Sequence, residues 1–241
     1  MADLHLLGFG ANGWGAWLLI AALMTLAVTA AALLLGAVLG SAVAALRLSE
    51  HRLLRVFGQL YTTVFRGVPE LLIIYLIYFG GASGLTSLGR LFGYEGFMSL
   101  PSFAAGVLAV GIISGAYQAE VFRGAYLAIP KGELEAALAI GMNGGLRLRR
   151  IIVPQVLRLA LPGLGNVWQL SLKDSALVSV TGLIELMRAS QVAAGSTRQY
   201  FLFYIVGGAL YLVLTSLSDR IFSAAERRAD RSMPSAALGK A

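Results

Sequence analysis

The chain has 241 residues, of which 58% are hydrophobic and only 13% are charged, and its net charge at pH 7 is +7. A soluble domain carries about 25% charged residues, so this composition excludes an ordinary soluble protein and favours a single membrane bundle. The absence of cysteine excludes disulfides, thiolate nucleophiles and cysteine-based metal sites. Because its two histidines, His5 and His51, lie in different loops, we expect no metal site.

Five apolar segments follow one another along the chain. A helix needs about 20 residues to cross a hydrocarbon core of about 30 Å. We expect the second helix to begin before Gly67, and the fourth to be irregular because Lys173 and Asp174 soon interrupt it. The N-terminus lacks the basic region of a cleaved signal peptide, so the first segment is expected to be a retained span. Glycines within the spans, such as Gly36 and Gly40, are expected to let helices pack closely. The predicted spans are residues 14–46, 71–89, 97–119, 159–172 and 200–218.

Lys and Arg residues are distributed unequally between the two sides of such a bundle. Five spans place the termini on opposite sides, and the positive-inside rule makes the side with more Lys and Arg the cytoplasm. This predicts a periplasmic N-terminus over residues 1–13, a membrane domain over residues 14–222 and a cytoplasmic tail over residues 223–241 that ends in disorder. The charges are confined to gaps between apolar runs, which indicates membrane orientation rather than nucleic-acid binding. The basic residues expected on the periplasmic side are Arg90, Lys173, Arg188 and Arg198.

The loop at residues 130–154 reads PKGELEAALAIGMNGGLRLRRIIVP. Its pattern predicts a short helix after Pro130, and Gly141 is suited to end that helix because glycine readily adopts the left-handed conformation. Judged by its residues alone, the helix is either a rigid knob for a partner's groove or an amphipathic helix at the lipid headgroups, with residues 147–150 as its basic flank. The residues that helical spacing places on one face are Leu134, Ala137, Leu138 and Gly141.

The spacing within this loop resembles the EAA loop of ABC importer permeases. Glu135, Ala136 and Ala137 are followed by three residues and Gly141, and nine further residues lead to an isoleucine three positions before Pro154. One position departs from the pattern, where a valine replaces a leucine. Other segments are similar to the polar amino acid subfamily of these permeases, over nearly all of residues 25–228. They are YTTVFRGVPEL at 61–71, GAYQAEVFRG at 115–124, LRLALPGLGN at 157–166 and LKDSAL at 172–177.

The resemblance is strongest to permeases for histidine, lysine, arginine and ornithine, and almost as strong to those for opines. It implies an all-α polytopic membrane protein with five transmembrane helices, a type I (MetI-like) importer permease with a cytoplasmic coupling helix, in a bacterial inner membrane. It also implies three kinds of protein partner: a second permease, identical or homologous, a cytoplasmic ATPase dimer and a periplasmic substrate-binding protein. The residues implied to couple to the ATPase are Glu135, Ala136, Ala137, Gly141 and Pro154.

The chain itself is not expected to be an enzyme. It has no GxxxxGK[ST] phosphate loop, so ATP and its magnesium ion are expected in the partner ATPase, and we expect no cofactor in this chain.

Ionisable residues within spans cost about 2.5–3.5 kcal/mol each on insertion scales and mark candidate functional sites. Three acids meet this criterion: Glu70, Glu120 and Asp174. A broken helix at membrane depth exposes backbone groups that can hold a zwitterion, and a carboxylate there suits an amino group or a cationic side chain. The predicted substrate pathway comprises Asp174, Ser175, Asn166, Gln169, Glu120 and Glu70.

Each acid also has a structural interpretation. Asp174 can pair with Lys173 in an interfacial loop, Glu120 can bond Arg66 or Arg123, and Glu70 can favour the positive end of a helix. For Glu120 and Glu70 the structural role is the preferred interpretation.

Several functions remain open. The first is ATP-driven import of a cationic amino acid, and the same architecture also suits an opine or another polar amino acid. A secondary transporter driven by an ion gradient is disfavoured by the EAA spacing, the lack of an inverted repeat and the five spans. A membrane scaffold without transport is disfavoured by the polar break at residues 173–175 and the acids at span ends.

Overall fold

The structure is a computed structural model that describes residues 2–10 and 13–230. Over these residues every regular element is a helix, which confirms the predicted all-α class. The α-helices are α1 (Gly15–Leu48), α2 (Arg52–Gly67), α3 (Glu70–Tyr75), α4 (Gly81–Leu91), α5 (Ser102–Leu127), α6 (Lys131–Ala139), α7 (Gly144–Arg147), α8 (Val153–Asp174), α9 (Leu186–Thr197) and α10 (Tyr200–Asp230). Ala2–Leu7 and Ser175–Thr181 form 3₁₀ helices, and Leu76–Gly80 and Leu148–Ile152 form π-helical turns.

Five helical segments of the described chain are long and apolar enough to cross a membrane, which confirms the five predicted spans. The fourth is irregular, as predicted, but it begins much earlier than residue 159, and the π-helical turn and the internal Pro162 interrupt its regular helix. It ends in the 3₁₀ helix, after which Gly182 adopts the left-handed conformation (φ +85°). The segments are Gly15–Leu48, Glu70–Leu91, Ser102–Leu127, Gly144–Thr181 and Tyr200–Ala229.

The second span does not begin before Gly67, and that prediction is wrong. Helix α2 ends at Gly67, Val68 is extended (φ −93°, ψ 138°) and α3 starts at Glu70. Pro69 is the cause, because its ring disfavours the helical conformation of the residue before it and its nitrogen cannot donate a hydrogen bond. The preceding residues form a separate helix that packs on α1 and α5.

Helices α1 and α5 pack most closely, at a stripe of small residues. A Cβ atom added to Gly36 would lie 2.2 Å from Ser114 Oγ, and one added to Gly40 would lie 2.8 Å from Gln118 Cβ. The expected close approach is therefore realised within this chain. Two hydrogen bonds also join these helices. Ser114 Oγ donates to the Ala32 carbonyl (3.2 Å), and Gln118 Nε2 donates to the Leu33 carbonyl (3.0 Å).

Helices α9 and α10 form a second packed unit against the start of α1. A buried cluster containing Leu18, Leu186 and Phe203 lies between them. Helix α10 continues to Asp230, so the first part of the predicted tail at residues 223–241 is helical. The predicted disorder of the tail concerns residues 231–241, which lie outside the described residues.

Candidate functional site

Helix α6 presents the EAA sequence as a short, well-terminated helix. It begins directly after Pro130 and ends at Ala139, two residues before Gly141, whose φ of +77° confirms the predicted left-handed conformation. The Gly141 amide donates to the Leu138 carbonyl (2.9 Å), and the Met142 amide donates to the Ala137 carbonyl (3.0 Å). These two bonds form a Schellman motif, which satisfies carbonyl groups that the helix end would otherwise leave unpaired.

The same helix is anchored on one side and open on the other. Ala137 is 3% exposed, whereas Leu138 and Ile140 are 56% and 74% exposed. The predicted apolar face is therefore only partly covered, because the Leu138 side chain points outward. Glu135 and Ala136 are also exposed. An exposed, apolar and rigid helix is suited to occupy a groove in another protein.

One side-chain hydrogen bond joins α6 to the fourth span. The Gln155 side-chain amide donates to the carboxylate of Glu133 in the first turn of α6. Pro154 occupies the first turn of α8, a position where the missing amide hydrogen costs nothing. The hydrogen bond therefore joins the first turn of α6 to the first turn of α8.

Glu120 is the centre of an ion-pair network that joins α1, α2 and α5. Its Oε1 accepts from the guanidinium groups of Arg47 and Arg66 (3.2 Å for Arg66), and its Oε2 accepts from Arg123 Nη2 (3.1 Å). Arg47 also donates to Gln59 of α2 (2.9 Å). The structural interpretation of Glu120, pairing with Arg66 or Arg123, is thereby confirmed. A contact between Glu120 and substrate remains a prediction.

Helix α2 is fixed further by Tyr61, whose hydroxyl donates to the Ile112 carbonyl of α5 (2.7 Å). Burial raises the pKa of Tyr61 to about 12, so this hydroxyl keeps its proton at any physiological pH. This bond holds α2 against α5, and α2 leads directly into the break between α2 and α3.

Two of the predicted acids lie on segments that pack together. Glu70 begins α3, Asp174 directly precedes the 3₁₀ helix Ser175–Thr181, and both segments contact α5 and each other. The guanidinium carbon of Arg66 lies 5.3 Å from the centre of the Tyr117 ring on α5, in the geometry of a cation–π contact. The start of the second span, the middle of the third and the break of the fourth therefore meet at one place.

Glu70 and Asp174 differ from Glu120 in their ion pairing. Asp174 forms no salt bridge within the described part of the chain, and neither does Glu70. Lys173 is exposed and acts on Asp174 electrostatically, without forming the predicted ion pair. Glu70 lies in the first turn of α3, the position expected from the helix dipole. Arg66 over the Tyr117 ring and Lys173 beside Asp174 bring positive charge to the same region, so acids and bases are mixed there.

The other predicted pathway residues differ in their surroundings. Ser175 is fully buried, and its hydroxyl donates to the Leu172 carbonyl (2.7 Å). Gln169 donates to the Thr215 carbonyl of α10 (3.2 Å) and so belongs to the packing of α8 on α10. Asn166 is exposed. Residues five positions apart on an α-helix point to different faces. Gln169 and Asp174 therefore do not share one surface of α8.

Sequence reasoning missed a fourth acid, Glu185. It is completely buried, and its carboxylate accepts hydrogen bonds from the Met187 and Arg188 amides (2.8 Å each) and from the Tyr211 hydroxyl (2.9 Å). Burial raises the pKa of Glu185, while the three hydrogen bonds act in the opposite direction. It escaped notice because it lies between the predicted spans. The available signal was its place three residues after Gly182 and directly before helix α9.

A family model described as the binding-protein-dependent transport system inner membrane component matches residues 32–231. The chain is 52% identical over 233 residues to the octopine transport system permease protein OccQ of Rhizobium meliloti, covering 97% of this chain and 98% of that protein. It is 41% identical over 216 residues to the histidine/lysine/arginine/ornithine transport system permease protein HisQ of Escherichia coli, covering 90% and 94%.

Solved structures of similar fold include an amino acid ABC transporter crystallised with histidines. It has a TM-score of 0.75 and 34% sequence identity, and the match covers 89% of this chain and 95% of that one. An inward-facing structure of the MetNI methionine ABC transporter has a TM-score of 0.64 at 19% identity, covering 86% and 96%, and supports the fold alone.

Proposed function

Because the chain belongs to the family of binding-protein-dependent transport system inner membrane components, we propose that it forms the pathway through which an ATP-driven importer moves cationic amino acids or the opines derived from them. The chain is an ABC importer permease of the amino acid and opine class. The finer proposal concerns which substrates it carries and which residues contact them.

The observation that carries this proposal is that Glu70 and Asp174, on segments that pack together, form no salt bridge within the described residues. A cationic side chain is attracted by carboxylates that have no ion-pair partner. Lys173 and the backbone at the break of the fourth span are available to the substrate carboxylate. Arginine and octopine share a guanidinium group, so both fit one cation subsite, and the similarity to the octopine permease favours the opine as the second candidate.

The energy of transport comes from the partner ATPase in this proposal. Helix α6 docks in a groove of that ATPase through its exposed face, with Glu135 and Ala136 at the contact and Gly141 and Pro154 holding the loop. Closure of the ATPase dimer moves α6, and α8 follows because Gln155 links it to Glu133. A second permease completes the pathway, and a periplasmic binding protein delivers the substrate. The N-terminus faces the periplasm and the C-terminus faces the cytoplasm of a bacterial inner membrane.

The test is uptake of labelled arginine into proteoliposomes that contain this chain, its partner permease and the ATPase, with the binding protein outside. We expect uptake to require ATP and to be reduced by unlabelled lysine, histidine and octopine more than by glutamine. Asp174→Asn should reduce arginine uptake at least tenfold, whereas Asp219→Asn, an exposed acid of α10, should leave it unchanged.

Three results would contradict parts of the proposal. Equal loss of uptake in both variants would remove Asp174 from the pathway. Transport of glutamine alone would remove the cation preference. Uptake driven by an ion gradient in the absence of the ATPase would favour a secondary transporter.

A further inference from the structure

Helix α2 packs against α1 and α5 with one face and leaves the opposite face open. Its buried residues are Gly58 and Thr62, one turn apart. The backbone at Gly58 lies so close to α1 that an added Cβ atom would be 2.6 Å from Arg47 Cγ. Tyr61 donates to the Ile112 carbonyl of α5. These contacts hold α2 on the side of its small residues.

Four apolar residues form a stripe along the open face of α2. They follow one another at positions i, i+4, i+7 and i+11, which an α-helix places on one side. Their exposed fractions range from 75% at Leu53 to 40% at Val64, so the described part of this chain leaves the stripe uncovered. The α2 stripe consists of Leu53, Phe57, Leu60 and Val64.

An apolar groove runs beside the α2 stripe, between α2 and the last turns of α1. Its wall shares three residues with the stripe, so the groove and the stripe form one continuous apolar surface. Such a surface suits a flexible hydrocarbon chain. The residues of the wall include Val43 and Leu46 of α1 and Phe57, Leu60, Val64 and Phe65 of α2.

Two exposed arginines, Arg52 and Arg55, lie at the start of α2. Neither forms a salt bridge within the described residues, and the nearby exposed Glu50 is paired with neither of them. A positive charge at the start of a helix opposes the helix dipole, so these arginines do not stabilise α2 itself. Arginines beside an open apolar stripe are typical of a helix at the boundary between anionic headgroups and acyl chains.

We propose that α2 binds an anionic phospholipid of the cytoplasmic leaflet, with the phosphate at Arg52 and Arg55 and an acyl chain in the groove between α1 and α2. A phospholipid has the charge and the apolar chain that this surface complements. The α2 of a second copy would bring the same arginines and no acid, so it would lack charge complementarity. The proposal concerns lipid and not substrate, and it rests on the proposed function only for the side of the membrane.

The test is native mass spectrometry of the assembled transporter in detergent, titrated with phosphatidylglycerol or with phosphatidylcholine of the same acyl chains. The double variant Arg52→Gln/Arg55→Gln removes both charges. Its matched control is Arg227→Gln/Arg228→Gln, which removes two exposed arginines near the end of α10, on the same predicted side of the membrane.

We expect the wild-type complex to bind phosphatidylglycerol at least tenfold more tightly than phosphatidylcholine. One basic residue near an anionic headgroup contributes about fivefold in affinity. Arg52→Gln/Arg55→Gln should therefore weaken phosphatidylglycerol binding about 25-fold and leave phosphatidylcholine binding unchanged, while the control pair changes neither.

The groove is tested by a second pair of variants. Leu60→Ala removes part of its wall, and Leu212→Ala, at a position 68% exposed on α10, is the control. Leu60→Ala should weaken the binding of both lipids about fourfold, the effect of losing the burial of one methylene group. Leu212→Ala should leave both affinities unchanged.

Several results would overturn the proposal. Equal affinity of the wild-type complex for the two lipids, or equal losses in the two arginine variants, would remove the anionic lipid from α2. Equal affinities in the two alanine variants would remove the acyl chain from the groove. The chain has no cysteine, so a disulfide between two copies of Leu60→Cys in the membrane would assign the α2 stripe to a contact between permeases. None of these measurements requires transport, so the lipid site and the proposed function can fail separately.

Discussion

Replacement of Gly141 by valine is the sharpest test of the coupling helix. The glycine has a φ of +77°, and a Cβ atom built on it meets no other atom within 4 Å. The cost of the substitution is therefore conformational and not steric. Placing an L-residue in the left-handed region costs about 1–2 kcal/mol, and a β-branched residue is among the least suited to it.

That cost acts on the end of a nine-residue helix whose two terminating hydrogen bonds depend on this conformation. A penalty of about 1–2 kcal/mol lowers the ratio of ordered to disordered helix ends roughly 5–30-fold. If α6 must be ordered to engage the ATPase, the initial rate of ATP-dependent uptake should fall, by up to that factor. The rate would be normalised to the amount of inserted chain, and the ATPase retained on the purified permease would be measured in parallel.

Two further variants distinguish an effect of the backbone conformation at position 141 from an effect of replacing a glycine in this helix. Gly141→Asn should retain most activity, because asparagine tolerates the left-handed region. Gly132→Ala, in the first turn of the same helix, should be harmless, since that glycine has no positive φ and its added Cβ also meets open space. The reasoning is refuted if valine at position 141 transports as well as the Gly132→Ala variant, or if asparagine is as inactive as valine.

Three further predictions concern stability, each measured as the thermal midpoint of the detergent-solubilised complex. Gly36→Ala should destabilise the packing of α1 on α5 by about 1–3 kcal/mol through overpacking, whereas Gly84→Ala, which meets open space, should not; equal midpoints would refute the close packing. Glu120→Gln should cost about 1–3 kcal/mol because it leaves three arginines without their carboxylate, and Glu50→Gln, an exposed acid, serves as its control; an unchanged midpoint for Glu120→Gln would count against the network. Tyr61→Phe should cost about 0.5–1.5 kcal/mol by removing the hydrogen bond from its hydroxyl to the Ile112 carbonyl, and a stabilised variant would contradict that bond.

Much of the fold could be predicted from local signals. The five spans follow from the length of apolar segments, because a membrane leaves a chain few alternatives to continuous helix. Gly141 was assigned its left-handed conformation from residue type and position alone. The predicted start of the second span before Gly67 is wrong, because the apolar segment does not reveal that Pro69 separates two helices.

The candidate site was predictable only in part. Asp174 and Glu70 could be singled out because an acid within an apolar segment is costly wherever it lies. Gln169 shows the limit of reasoning from sequence. Its side chain donates to α10, and the sequence of α8 does not reveal that α10 is the neighbouring helix. Glu185 was missed because its burial comes from α1 and α10, which are distant in sequence.

The sequence by itself determined which segments enter the membrane, where the fourth span breaks and how α6 ends, because each of these follows from the solvation and backbone preferences of residues close together in the chain. The tertiary structure alone decided which charges are paired. Glu120 meets three arginines from three helices, whereas Asp174 and Glu70 form no ion pair among the residues that the structure describes. The reason is physical: an ion pair needs two groups within a few ångströms, and only the packing of α1, α2, α5 and α8 sets those distances.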